Sequence, residues 1–244
     1  MGNSQQLARL VCTNNSQIIA QGKSYANKQR AEHGVLVVVR CIVGGEPEWL
    51  GPAEIAARVA ETGPLLAMTV VFGANPSAST QKMTDAGSIC RAIREAGPEI
   101  KQMLGGLHVS ALPERTMQEE AVDFVCQGEG PHTIRPLLDK LRAGTDDYAD
   151  VPGLWYRDGE EIVGNDPAPL ITDLDGELPG VAWDLLPMGR YRAHNWHCFD
   201  HIDHRHGYAV IYTSLGCPFN CHFCCINVLF GERGIRYRSI EQVV

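Results

Sequence analysis

Ile100-Lys-Gln-Met-Leu104-Gly105-Gly106-Leu107-His108, followed by Val122-Asp-Phe-Val-Cys-Gln-Gly128-Glu129-Gly130, decides the fold. Each is a short apolar run that stops at glycines, the pattern of a strand buried on both faces and leading into a tight turn. Upstream, Val35–Val39 and Leu65–Phe72 repeat it. Between the runs lie helical periods. Pro52–Thr62 ends at Gly63-Pro64, and Thr80–Ala96 puts Met83, Ala86, Cys90 and Ile93 on one face before Gly97-Pro98. Leu112–Ala121 is a shorter helix, and Thr133–Ala143 turns Ile134, Leu137, Leu138 and Leu141 inward. Gly73–Ser79 reads as a loop. Strands alternating with helices predict an α/β fold with a parallel sheet covered on both sides. Ligands of such sheets bind at the carboxyl ends of the strands, where the glycine loops fall. Glycine lets backbone come close to a ligand. Gly128-x-Gly130 lacks the third glycine of a dinucleotide fingerprint, which disfavours NAD.

The flanks are less regular. Residues 1–33 are polar, without a period, and read as a partly disordered leader that lacks the features of a signal peptide. Residues 145–206 read as a connector with a small hairpin around Asp158-Gly159. In it, Trp183 and Leu185 suit interdomain packing. His194, His197, His201, His204 and His206, with Cys198 among them, could share a metal or line a solvated loop. The 244 residues carry a net charge of −8, which argues against a broad phosphate-binding face, so no nucleic-acid partner is expected. No apolar run approaches the ~20 residues of a membrane span; Val35–Val43 is broken by Arg40. Free thiols point to a reducing, low-oxygen cytoplasm.

Near the end of the chain stands Cys217-Pro-Phe-Asn-Cys221-His-Phe-Cys224, three thiols at Cys-x3-Cys-x2-Cys after the apolar run Ala209–Thr213 and a turn at Ser214–Gly216. Iron–sulfur clusters are held by thiolates, and three ligands leave a four-iron cluster with one open iron. Zinc prefers paired knuckles, and no second pair follows; Cys225 is the only later cysteine. Buried apolar cysteines remain the bland alternative.

At these residues the chain resembles the radical S-adenosylmethionine (SAM) superfamily, whose motif has this spacing and commonly an aromatic residue at the place of Phe223. The resemblance implies a 4Fe-4S cluster on Cys217, Cys221 and Cys224, with SAM chelating the fourth iron beside Phe223. The glycine loops resemble the cobalamin-binding domain that precedes the cluster domain in one large subfamily. This implies cobalamin contacts from Gly73, Ser77, Gly105, Gly106, His108, Gly128, Glu129 and Gly130. The implied architecture is a Rossmann-like cobalamin-binding domain at 34–144, a linker at 145–206, and the start of a radical SAM (partial TIM) barrel at 207–244. Leu174–Pro179 and Ala182–Pro187 resemble that subfamily's linker, and Gly231–Ser239 its passage toward the next helix. Gly44-Gly45-Glu46 mimics a SAM-binding stretch but precedes the cysteines, and is set aside.

Three points depart from or qualify the pattern. The Asp-x-His-x-x-Gly signature that supplies a cobalt ligand in many cobalamin proteins is missing. The segment from Val39 to Leu65 holds one helix where the subfamily fits an extra strand and helix, so the site could be weakened. A full barrel needs about 200 residues, so the chain reads as a front fragment, expected not to turn over SAM alone. For the whole family the resemblance implies cleavage of SAM to a 5′-deoxyadenosyl radical, methyl transfer to an unactivated carbon first, with ring closure or rearrangement as alternatives. It also implies a small-molecule substrate and an external flavodoxin- or ferredoxin-type electron donor. A non-catalytic cobalamin module with a vestigial cluster loop, and a simple electron carrier, are the readings from other classes.

Overall fold

The computed structural model describes residues 10–14, 17–21, 36–41, 51–71, 76–178, 207, 209 and 211–243. Gly73, Trp183, Leu185, the five clustered histidines and Cys198 lie outside these residues, as does the side chain of Ser77.

The first two strands correct the reading of the leader. β1 (Leu10–Asn14) and β2 (Gln17–Gln21) pair antiparallel, from Leu10↔Gln21 to Asn14↔Gln17. The intervening Asn15-Ser16 is of turn-forming type, and Ile18-Ile19 supplies β-branched residues, which outweigh the polar surroundings.

The main sheet begins with β3 (Leu36–Cys41) and continues through β4 (Leu66–Val71), β5 (Lys101–Gly106) and β6 (Phe124–Cys126), all parallel and adjacent in chain order. Between β3 and β4 runs α1 (Pro52–Thr62), with Pro52 in its first turn, the Glu54 carboxylate accepting from the Gly51 N–H at 2.9 Å, and Gly63 closing it in the left-handed region. After β4 the expected loop is partly helical. α2 (Pro76–Gln81) starts on a proline, and Lys82 separates it from α3 (Met83–Ala96). A short helix not foreseen, α4 (Leu107–Ala111), leaves Gly106 directly and is followed by α5 (Pro113–Glu119). α6 (Pro131–Ala143) follows β6 and ends at Gly144.

Alternation along the strands sorts side chains onto two faces, as the pleat requires. Ala67, Val71, Leu104 and Val125 pack with Ile55 and Val59 of α1 and with Ile89 and Ile93 of α3. Leu66, Met68, Met103, Phe124 and Cys126 pack on the opposite face with Leu137 and Leu138 of α6. Each fully buried aliphatic side chain contributes about 1.5–3 kcal/mol relative to exposure.

The hairpin around Asp158-Gly159 is present, but it is not merely part of a connector. β7 (Leu154–Asp158) pairs antiparallel with β6, and β8 (Glu161–Gly164) pairs with β7, so among the described residues the sheet has six strands and is mixed, not wholly parallel. The reason lies in the side chains. Tyr156 is buried and meets the Tyr148 ring edge-on at 5.5 Å, and Tyr148 meets Phe124 likewise at 5.1 Å. Trp155 donates from Nε1 to the Gln127 side-chain oxygen at 2.9 Å.

Beyond the sheet, α7 (Leu174–Glu177) is capped by Asp173, whose carboxylate accepts from the N–H groups of Asp175 and Gly176. β9 (Ser214–Cys217) then leads through α8 (Ile226–Phe230) to β10 (Gly234–Tyr237), its antiparallel partner, and α9 (Ile240–Val243) ends the described chain. The strand thus falls on the residues read as a turn, not on Ile211–Thr213 before it. Gly216 explains it: its φ is +98°, and a Cβ there would stand 2.3 Å from the Gly234 carbonyl oxygen. Only glycine allows the two strands to close at this point.

Candidate functional site

The carboxyl ends of β4, β5 and β6 converge where Val71 pairs with Gly106. Gly106 has φ +125° and ψ −174°, and a Cβ on it would stand 2.1 Å from the Val71 carbonyl oxygen. Backbone occupies the space a side chain would need, and the chain can then turn straight into α4. Gly105 differs: it lies inside β5 and is crowded only by the Met68 terminal methyl. His108, on α4, is half-buried, and its Nδ1 is 2.9 Å from the Thr80 hydroxyl. Burial, helped by the nearby Arg115 charge, pushes its pKa below the ordinary value of 6.5, so the ring is held neutral at pH 7.

The loop after β6 is bound to α4. The Gly128 N–H donates to the Ser110 hydroxyl at 3.1 Å, and the Gln127 side-chain amide donates to the Ser110 carbonyl at 3.4 Å. Gly128 and Gly130 have φ values of +94° and +102°, and Gly130 caps α6. Behind this loop the buried Cys126 thiol is pushed up to about 12 by desolvation, which makes it an inert filler.

Glu129 does not open toward free space. Its side chain is 9% exposed and takes a two-pronged ion pair from Arg236 of β10, Nη2 to Oε1 at 2.5 Å and Nη1 to Oε2 at 2.9 Å. The Ile171 N–H donates to the same carboxylate at 2.9 Å. Arg236 Nη1 also donates to the Ile171 carbonyl at 2.6 Å, and its guanidinium lies over the Phe230 ring, 5.1 Å from the centroid. Two residues on, Arg238 donates to the carbonyls of Leu174 and Leu178 at 2.9 and 2.7 Å, and the Ser239 N–H donates to Asp175 at 3.0 Å. These bonds fasten the cysteine hairpin to the connector and to the front sheet. α8 packs on α4, and its Leu229 carbonyl approaches within 3.7 Å of where a Cβ of Gly128 would stand.

Cys217 ends β9, Cys221 is exposed and Cys224 is half-buried, with the Cys224 N–H donating to the Cys221 carbonyl at 3.1 Å. Asn227 closes the loop by donating to the Phe219 carbonyl at 2.8 Å, and its own side-chain oxygen is buried without a partner among the described residues. Phe223 is 81% exposed. Burial and the neighbouring Cys224 push the Cys225 thiol up, away from thiolate character. Three thiols on one loop have the donor chemistry of an iron–sulfur ligand set. Among the described residues no three His, Cys, Asp or Glu side chains converge as a ready-made metal site. Arg236, Arg238, Ser110, Thr80 and Asn227 were missed from sequence; the only signal was the Arg236-x-Arg238 alternation, one arginine in β10 and the other just past its end.

With this geometry in view, the B12 binding domain family model matches residues 15–138, a little over half of the chain and beginning inside the segment read as leader. The chain belongs to the B12 binding domain family. Membership supports cobalamin binding. The chain is also similar to an uncharacterized methyltransferase, PH0819, of Pyrococcus horikoshii, 33% identical over 90% of this chain and 42% of that protein. The anaerobic magnesium-protoporphyrin IX monomethyl ester cyclase of Synechocystis is 29% identical over 76% of this chain and 33% of its own. Thus the chain spans less than half the length of these relatives. Among solved structures, the radical SAM methyltransferase TsrM of Kitasatospora setae, with cobalamin and a 4Fe-4S cluster bound, shares the fold at a TM-score of 0.53 and 19% identity, over 78% of this chain and 36% of TsrM. The expected cobalamin-binding front domain is therefore met, and the similar full-length proteins are named as a methyltransferase and a cyclase. Among the described residues no helix is long and apolar enough to cross a membrane.

Proposed function

We propose that this B12-binding chain holds a corrinoid at the carboxyl ends of β4–β6 and a 4Fe-4S cluster on Cys217, Cys221 and Cys224, and serves SAM-dependent methyl transfer to an unactivated carbon. The observation that carries the reading is the docking of the cysteine hairpin onto the glycine loops, through Glu129–Arg236 and through α8 on α4. Cofactor chemistry of two kinds has to meet in one place, and the chain's contribution is orientation and exclusion of water. When bound, the cluster would supply an electron to SAM and the corrinoid a methyl group.

In this reading Gly105, Gly106 and the loop from Gly128 to Gly130 let the backbone approach the macrocycle, with Gly73 and Ser77 as further contacts. His108, turned to Thr80 through Nδ1, contacts the corrinoid from α4. Phe223 shields SAM, and Cys225 stays a buried thiol. The division into front domain, connector and cluster domain is proposed on the same basis, with the hairpin β7–β8 assigned to the front sheet. The substrate is a small molecule, the electron donor a separate protein of flavodoxin or ferredoxin type, and the setting cytoplasmic. Ring closure is the second reading, favoured by the cyclase relative.

The test is anaerobic reconstitution with iron and sulfide, followed by electron paramagnetic resonance with and without SAM, alongside titration with hydroxocobalamin. A four-iron signal that shifts on adding SAM, is lost in Cys221→Ala, and coexists with stoichiometric corrinoid is the expected result. A protein that takes up no corrinoid and no cluster would sink the proposal.

A further inference from the structure

Glu129 and Arg236 are 107 residues apart in the chain, yet their pair is shielded from solvent, with side chains 9% and 16% exposed. Every strong partner of Glu129 lies outside its own loop: Arg236 on the cysteine hairpin and the Ile171 N–H on the connector. Its two neighbours in sequence are glycines at positive φ, so local sterics leave the tripeptide unusually free. Beyond the Gly128 N–H bond to Ser110 and the cap at Gly130, the order of this loop is therefore set by what Glu129 grips. In the other direction, Arg236 spans β10, Glu129, the Ile171 carbonyl and the Phe230 ring at the end of α8, the helix that leaves the cysteine loop. Either half, once fixed, presents the partner of the other in its bonding position.

We propose that Arg236 is a positioning residue that couples the two halves of the site, so that ordering the glycine loop by a corrinoid and ordering the cysteine hairpin by an iron–sulfur cluster favour one another through Glu129. This rests on the cofactor reading given above. Coupling of this kind is reciprocal by thermodynamic necessity. Lysine at position 236 keeps the charge but cannot fork onto both Glu129 oxygens and the Ile171 carbonyl together.

The test uses the full chain as wild type, Arg236→Lys and Glu129→Gln. Hydroxocobalamin affinity is measured anaerobically before and after iron–sulfide reconstitution, and amide hydrogen exchange is followed in the metal-free protein. In wild type the affinity should rise on reconstitution, within the usual span of about 5- to 150-fold; in both variants the ratio should fall toward one. Exchange should quicken in both variants at Gly128–Gly130 and at Ser214–Tyr237 together, while α1 and α3 stay as slow as in wild type. Wild-type binding with a ratio of one overturns the coupling alone. Variants that retain the wild-type ratio, or in which exchange quickens on only one side of the pair, overturn it too. A wild type that binds no hydroxocobalamin overturns the coupling together with the cofactor reading.

Discussion

Gly106→Ala is the substitution whose cost can be worked most fully. Two effects act at once. The residue sits at φ +125°, ψ −174°, a region essentially reserved for glycine, where another residue stores about 1–3 kcal/mol. The added Cβ would also lie 2.1 Å from the Val71 carbonyl oxygen and 2.8 Å from its carbon. Those are backbone atoms of the last β4–β5 pair, so no side chain can swing aside and the strand ends must part, adding about 1–3 kcal/mol of overpacking. The sum is about 2–6 kcal/mol, or roughly 4–24 °C in the thermal midpoint at 2–4 °C per kcal/mol for a chain of this size. Gly63→Ala is the control. Its φ is +55° with nothing within 4 Å, so only the left-handed conformation is charged, about 1–2 kcal/mol. Urea unfolding followed by far-ultraviolet circular dichroism measures both. If Gly106→Ala costs no more than Gly63→Ala, the close approach of β4 to β5 is not what position 106 serves, and the steric reasoning fails.

Two further outcomes follow from single residues. Gln102 is 1% exposed, and both polar atoms of its side chain lack partners among the described residues, so Gln102→Met should stabilise the fold by about 1–3 kcal/mol in chemical denaturation; a loss of stability would reveal a hidden polar partner. The His108 pKa is lowered in the fold, so as pH falls through 6.5 the unfolded chain takes up a proton before the folded one does. Stability present above 6.5 is thus lost between 6.5 and the lower folded value. His108→Gln should flatten this part of the pH profile between 7.5 and 5, and an unchanged slope would place the titration elsewhere.

The front sheet was legible because its punctuation is local. Proline at the start and Gly63 at the end bound α1 to the residue, and the apolar runs gave β3 to β6 within a few positions. The misses share a cause, since each depends on partners distant in sequence or on very short elements. Glycine loops gave no hint that α4 would start at Leu107, and Gly73–Ser79 read as a loop although Pro76 within it opens a helix. β7 and β8 were visible as a hairpin, but nothing local says that Trp155 and Tyr156 will continue the main sheet. At the candidate site, the three cysteines and the glycines announced themselves by spacing. Glu129 looked like a loop carboxylate free for a ligand, because its counter-charge lies beyond the whole connector.

That long separation has a consequence for biosynthesis. At about 5–20 residues per second on the ribosome, roughly 5–20 s pass between the appearance of Glu129 and that of Arg236. The front sheet can fold in that interval, since its own contacts are complete by Gly164. The cysteines emerge after it, onto a finished surface that still lacks its guanidinium. Any metal taken by these three thiols would thus be loaded after the front sheet: chain order brings them out only once the platform that receives them has been made.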